Sequence, residues 1–133
     1  MTTLNFKISE LIHSDTANNH KISNIPDTNS LDYLLDLIFY VLQPLRNKIG
    51  KPIIINSGFR NAQVNKLVGG AANSQHTKGQ AADIVVKGLS VTSLIDLIKK
   101  SGIEYDQLIN EYNNWVHISF VKGKNRKQCF KIS

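Results

Sequence analysis

Apolar residues along the chain follow two periods, and the switches between them mark the elements. Leu31, Leu34, Leu35, Ile38, Leu42 and Leu45 recur at helical spacing and make one buried stripe. Asn29 or Ser30 can cap this helix, and Gly50 ends it. Pro44 lies inside the stripe, so a kink or break is expected there. The β-branched run 51–56 then reads as a short buried strand. Asn61 caps a short helix through Leu67, stopped by Gly69 and Gly70, and residues 81–87 read as a second strand. Ser90 caps a further helix, with Val91, Leu94, Ile95, Leu97 and Ile98 on one face and Gly102 closing it.

The polar stretch from Ser14 to Asn29 reads as an ordered loop or short turns. Segments 105–112 and 115–120 flank Asn113-Asn114, a hairpin signal. Helices thus come first and in between, with neighbouring strands paired. The expected class is α+β, a small and mainly antiparallel sheet flanked by helices. No repeat divides the chain. Its 133 residues suit a single domain, 1–133, with a basic C-terminal tail from about 121.

Composition excludes several classes. At 41% apolar with moderate charge, the chain is not disordered. Its longest apolar run, Leu37 to Leu42, falls far short of the roughly 20 residues a bilayer needs, so no membrane insertion is expected. The N-terminus shows no apolar signal region, which points to synthesis in the cytoplasm. The single Cys129 allows no internal disulfide and no cysteine-built zinc site, and reads as an inert thiol. A net charge of +6 favours an anionic partner such as nucleic acid, acidic lipid or cell wall. Lys122, Lys124, Arg126, Lys127 and Lys131 carry much of that excess, a run that reads as solvated. Without a recognition-helix motif or aromatic–basic interleaving, no nucleic acid is expected.

The candidate chemistry lies with the histidines. His13 and His20 sit in polar sequence and read as exposed. His76 precedes Asp83 by seven residues, with Gly79 permitting a sharp turn and Ala81 and Ala82 permitting close packing. His76 and Asp83 can therefore converge from loop and strand. Strand alternation puts Trp115, His117 and Ser119 on one face, and Val116, Ile118 and Phe120 on the core face. Two histidines and an aspartate make a three-ligand zinc set with a fourth position open. On spacing alone, a loop-capping His76 and a hydrogen-bonded strand His117 remain the simpler reading.

Longer motifs add a resemblance. Ser-Gly-Phe-Arg at Ser57 to Arg60, S-x-H-x-x-G-x-A-x-D at Ser74 to Asp83, and Trp-Val-His-Ile-Ser at Trp115 to Ser119 stand in this order. Together they resemble the zinc D-alanyl-D-alanine carboxypeptidase family of metallopeptidases, within the Hedgehog/DD-peptidase superfamily. The likeness covers about residues 6–120 and extends to small phage-like and bacterial members. It implies the fold of that superfamily and one zinc ion held by His76, Asp83 and His117. Arg60 matches the arginine that holds a substrate carboxylate or carbonyl oxygen, a task that suits a planar guanidinium. Ser74 either donates to a ligand backbone or braces its loop. Trp115 either packs the hairpin or touches substrate, while Lys78 and Gln80 read as solvated.

The general base departs from the pattern. Several members of the family carry an acid three residues before the last histidine, where this chain has Asn114. Glu111 is the expected base, with Asp106 in reserve. A two-residue turn at Asn113-Asn114 would pair Asn110 with His117 and turn Glu111 away. A three-residue loop or a bulge would bring Glu111 opposite His117.

The resemblance implies a zinc metallopeptidase, a hydrolase of peptidoglycan stem peptides, with D-alanyl-D-alanine carboxypeptidase activity foremost. Alternatives are an endolysin-like L-Ala-D-Glu endopeptidase, a dipeptidase on free D-Ala-D-Ala, or a catalytically silent zinc-holding module that binds cell wall or protein. The expected partner is the stem peptide, met by a monomer at the cell wall through phage-type release or another route of export.

Overall fold

The computed structural model describes residues 4–133. Its α+β framework begins with two short helices, α1 (Ile8–Ile12) and α2 (Asp15–Asn19), the second inside the stretch expected to be loop or turns. The apolar stripe then folds as one helical rod. Helix α3 (Thr28–Leu37) starts at Asp27, whose carboxylate accepts the Ser30 N–H at 2.7 Å. The cap thus lies ahead of Asn29 and Ser30, and Ser30 is buried inside the helix. Pro44 does not break the rod. A single π turn (Ile38–Leu42) leads into α4 (Gln43–Ile49), with the Gln43 N–H bonded to the Ile38 carbonyl. The wider turn shifts the hydrogen-bond ladder just before a residue that has no N–H to give.

Five strands follow: β1 (Ile54–Ser57), β2 (Ala81–Val85), β3 (Gln107–Glu111), β4 (Trp115–Ser119) and β5 (Gln128–Ile132). They lie in the order β1-β2-β4-β3-β5, with every pair antiparallel except β3–β5. Helix α5 (Ala62–Leu67), capped by Asn61, follows β1, and α6 (Val91–Ser101), capped by Ser90 and ended by Gly102, follows β2. One sheet face carries Ala82, Ile84, Leu108, Val116 and Ile118 into the core with the α3–α4 stripe and with Leu94 and Ile98 of α6. Each large side chain buried there contributes about 1.5–3 kcal/mol. The opposite face is left for Asp83, Ile109, Glu111 and His117. Strand β1 is an edge strand with alternating exposure, not the buried strand expected: among the described residues no strand pairs on its outer side, and Ile54 stays exposed. Among the described residues, no helix is long and apolar enough to cross a membrane.

The hairpin register is decisive for the chemistry. Glu111 pairs with Trp115 and Ile109 with His117, so Tyr112, Asn113 and Asn114 form a three-residue loop. Tyr112 and Asn113 both adopt φ of +58°, and the Asn114 N–H closes the turn on the Glu111 carbonyl at 2.9 Å. Asn110 and Asn113 exchange two further hydrogen bonds across it. Glu111 therefore shares a face with His117, diagonal to it, while Ile109 is the residue directly opposite.

The basic side chains of the C-terminal segment are exposed, as expected, but the segment is not a loose tail. It returns to the sheet as β5, parallel to β3. Arg126 fastens it through Asp106, which is 1% exposed. The Asp106 carboxylate accepts the Arg126 backbone N–H at 2.7 Å, its guanidinium at 2.7 to 3.2 Å and Gln75 Nε2 at 2.8 Å. The hydrogen bond from Arg126 holds the Asp106 carboxyl below the usual carboxylate range, against the opposing effect of burial. Replacing Asp106 with alanine is expected to cost about 2–3 kcal/mol, less than a fully buried pair because the guanidinium is half exposed. A carboxyl depressed in the folded state stabilises above its unfolded pKa of about 3.9, and that contribution disappears as pH falls through the lower folded value. Urea unfolding at neutral pH and near pH 3 checks both points. The parent's advantage over Asp106→Ala should shrink at the lower pH.

Candidate metal centre and substrate groove

His76 lies on a 3₁₀ turn (Gln75–Lys78) between α5 and β2. The Ser74 hydroxyl accepts the His76 N–H at 3.2 Å, and Gly79, at φ of +75°, ends the turn. A Cβ on Gly79 would overlap the Ser30 carbonyl of α3, so the loop sits tightly against the rod. Sheet register supplies the other two groups. Asp83 pairs directly with His117, and the three side chains converge with their residues only 3–8% exposed. His117 Nδ1 stands 3.1 Å and His76 Nε2 3.3 Å from Asp83 Oδ1, with all three donor atoms within 4.8 Å of one another.

Burial by itself pushes the Asp83 carboxyl up. The neighbouring imidazoles of His117 and then His76 outweigh it and hold the group well below its ordinary range. The His76 tautomer sharpens the picture. Its Nδ1 lies 2.7 Å from the Gly58 carbonyl and must donate to it, so neutral His76 turns the Nε2 lone pair toward Asp83. A carboxylate oxygen and a bare imidazole nitrogen can share that space only around a cation, either a proton or a metal ion. Two nitrogens and one oxygen suit zinc, and a tetrahedral site with bonds of about 2.0 Å has edges of about 3.3 Å. The donor set fits a single ion of that kind.

Glu111 completes the face. Its Oε2 accepts the Trp115 indole N–H at 3.1 Å, and its Oε1 lies 3.6 Å from His117 Nδ1. Trp115 thus orients the acid and also walls a groove of about 450 Å³ shared with His13, Asn56, Arg60, Val68 and Asp83. Burial lowers the Arg60 pKa, opposed by the charges of Asp83 and Glu111, and its Nε has no hydrogen-bond partner among the described residues. Nε is buried and out of a ligand's reach, but the guanidinium lines the groove, where its planar charge suits an anionic group.

Other expectations need correction. The Ser74 hydroxyl caps the 3₁₀ turn, which is the bracing option. Gln80 is buried rather than solvated, and its Oε1 accepts Gln75 Nε2 at 3.3 Å. Lys78 is exposed. Asp106 cannot serve as the reserve base, because Arg126 and Gln75 occupy its carboxylate away from the groove. His13 is exposed as expected, yet it borders the groove. Asn56 was not legible as a groove residue. It is the extra residue of a β-bulge between Ile55 and Ser57, and no sequence signal marks that bulge.

The model of the family described as Peptidase M15 matches residues 4–119, which include His76, Asp83, His117, Glu111, Arg60 and Trp115. The chain belongs to the M15 peptidase family. It is similar to the zinc D-Ala-D-Ala carboxypeptidase of Streptomyces albus G, at 37% identity over 86 residues, 62% of this chain and 32% of that protein. The match thus spans about a third of that relative's length. Strand β5 and Arg126 lie beyond the residues matched to the M15 peptidase family.

Gly58 ties the framework of this M15 peptidase to its centre. A Cβ there would collide with the Leu11 carbonyl, while the Gly58 carbonyl orients His76. Gly58→Ala is therefore expected to lower the unfolding midpoint and weaken metal affinity about 10- to 100-fold, as losses of such orienting contacts do. Competition with a chromophoric chelator checks the affinity.

Proposed function

We propose that this M15 peptidase is a zinc-dependent D-alanyl-D-alanine carboxypeptidase of peptidoglycan stem peptides. The observation that carries the reading is the placement of Glu111 beside the His76–Asp83–His117 set, with Arg60 across the same groove. His76 Nε2, Asp83 Oδ1 and His117 Nδ1 would hold the ion. Zinc bound there supplies Lewis acidity toward water and toward a carbonyl oxygen.

The chain's own groups do the rest. Glu111 takes a proton from the attacking water and returns it to the departing amine as the C–N bond breaks. Trp115 keeps the accepting oxygen aimed at that task. Arg60 binds the terminal carboxylate of the substrate and fixes the scissile bond over the centre. The similarity to the Streptomyces albus G enzyme supports the D-Ala-D-Ala end as the target. The net charge of +6 supports an anionic wall polymer over a free dipeptide.

The test is mass spectrometry of defined pentapeptide muropeptides incubated with zinc-loaded protein, beside a chelated control. Zinc-dependent loss of one alanine is expected. A cut after L-Ala would make the protein an endopeptidase, and intact substrate with zinc bound would make it a silent binding module. Arg60→Lys should cut kcat/KM about 10- to 100-fold, because an ammonium cannot reproduce the two parallel hydrogen bonds. Steady-state kinetics on the same peptide reads that loss.

A further inference from the structure

A second cavity, of about 340 Å³, meets the centre from the His117 side and shares no lining residue with the Arg60 groove. Asn73, Gln75, Gln107, Ile109 and Arg126 line it with His117. Arg126 is the one residue with a fixed charge on its wall, and no acid lines it. The acid that balances Arg126 is Asp106, buried beneath and 1% exposed. Asp106 engages Nε and Nη2 of the guanidinium, leaving Nη1 without a hydrogen-bond partner among the described residues. This arginine is held rigidly by its inner edge while half of its side chain stays open to solvent. A cation fixed in that way costs little ordering entropy when it binds an anion.

We infer that this cavity is a second carboxylate subsite, with Arg126 as a specificity-determining residue. The inference rests on the proposed function, in which Arg60 takes the terminal carboxylate. The His117 side then receives the acyl part of the substrate. The substrate class is a peptide ending in D-Ala-D-Ala that carries a further carboxylate on the side chain of the residue preceding the two alanines. Arg126 reaches the site only because the segment after β4 folds back as β5, beyond the residues matched to the M15 family. The preference thus belongs to this chain's own C-terminal segment.

Two pentapeptides test it, identical except for L-lysine or meso-diaminopimelate at the third position, a difference of one carboxylate. The zinc-loaded parent is expected to favour the diaminopimelate peptide about tenfold or more in kcat/KM, the scale of one charged hydrogen bond. Arg126→Gln should bring the ratio close to one. Because that variant leaves Asp106 buried without its partner, the double variant Asp106→Asn/Arg126→Gln is measured beside it, and Arg126→Lys should restore part of the ratio. Equal rates in the parent, or a ratio that survives in both glutamine variants, overturns the subsite. Calorimetric binding of both peptides to zinc-loaded Glu111→Gln protein, with and without Arg126→Gln, separates the two readings. If the zinc-loaded parent cuts neither peptide while the Glu111→Gln protein binds them with a preference that depends on Arg126, the carboxypeptidase reading falls and the subsite stands. Equal binding would sink the subsite whatever the rates.

Discussion

Glu111→Gln should lower kcat about 10²- to 10⁴-fold while zinc stoichiometry and the unfolding midpoint stay close to the parent's. Glutamine keeps the shape and keeps an oxygen for the Trp115 indole N–H, so the hairpin has no reason to move. What it loses is the ability to accept a proton. The other acids are otherwise engaged: Asp83 faces both histidines, Asp15 at the exposed rim of the groove pairs with His13, and Asp106 is bound by Arg126 and Gln75. Asn114, at the position where several family members carry the acid, sits in the turn itself. Single-turnover kinetics with metal content measured on the same sample decides the matter. A variant that turns over at the parent's rate with zinc bound removes Glu111 from the mechanism.

That prediction depends on a feature the sequence left open. The alternation in β4 separated Trp115 and His117 from the core residues Val116 and Ile118, since successive side chains of a strand point to opposite faces, although here both faces are largely covered. The motifs around His76 and Asp83 were equally legible, because the sharp turn at Gly79 and the small Ala81 and Ala82 leave few ways to run the chain. The hairpin register was not. A loop of two residues or three hinges on whether Tyr112 accepts a positive φ, and this tyrosine does so within a net of Asn110, Asn113 and the Ile132 carbonyl. Ile132 belongs to β5, itself hidden in a run of lysines that reads as solvent-facing. Local composition cannot reveal that a buried acid twenty residues upstream, Asp106, holds that run down. The π turn before Pro44 and the bulge at Asn56 escaped for the same reason. Each one adjusts the backbone by a single residue, below the resolution of any periodicity.

Removing the metal should abolish turnover and destabilise the fold together, and the geometry explains why the two are coupled. Asp83 Oδ1 is placed within 3.1 and 3.3 Å of two imidazole nitrogens in a site with almost no solvent. With zinc bound, the His76 lone pair and the carboxylate are satisfied at once, and binding adds about 4 kcal/mol at a free metal concentration a thousandfold above Kd. Without it, a proton must do the same work between fewer partners. Chelated protein is therefore expected to unfold at a lower temperature, and stoichiometric zinc should restore both the midpoint and the activity. Asp83→Ala separates the contributions. It removes the carboxylate that both histidines face, so zinc should no longer raise the midpoint and turnover should stay at background. Calorimetric scans of parent and variant, each with and without one equivalent of zinc, make the comparison. If Asp83→Ala still binds zinc at the parent's affinity, the ion is held elsewhere and the His76–Asp83–His117 assignment fails.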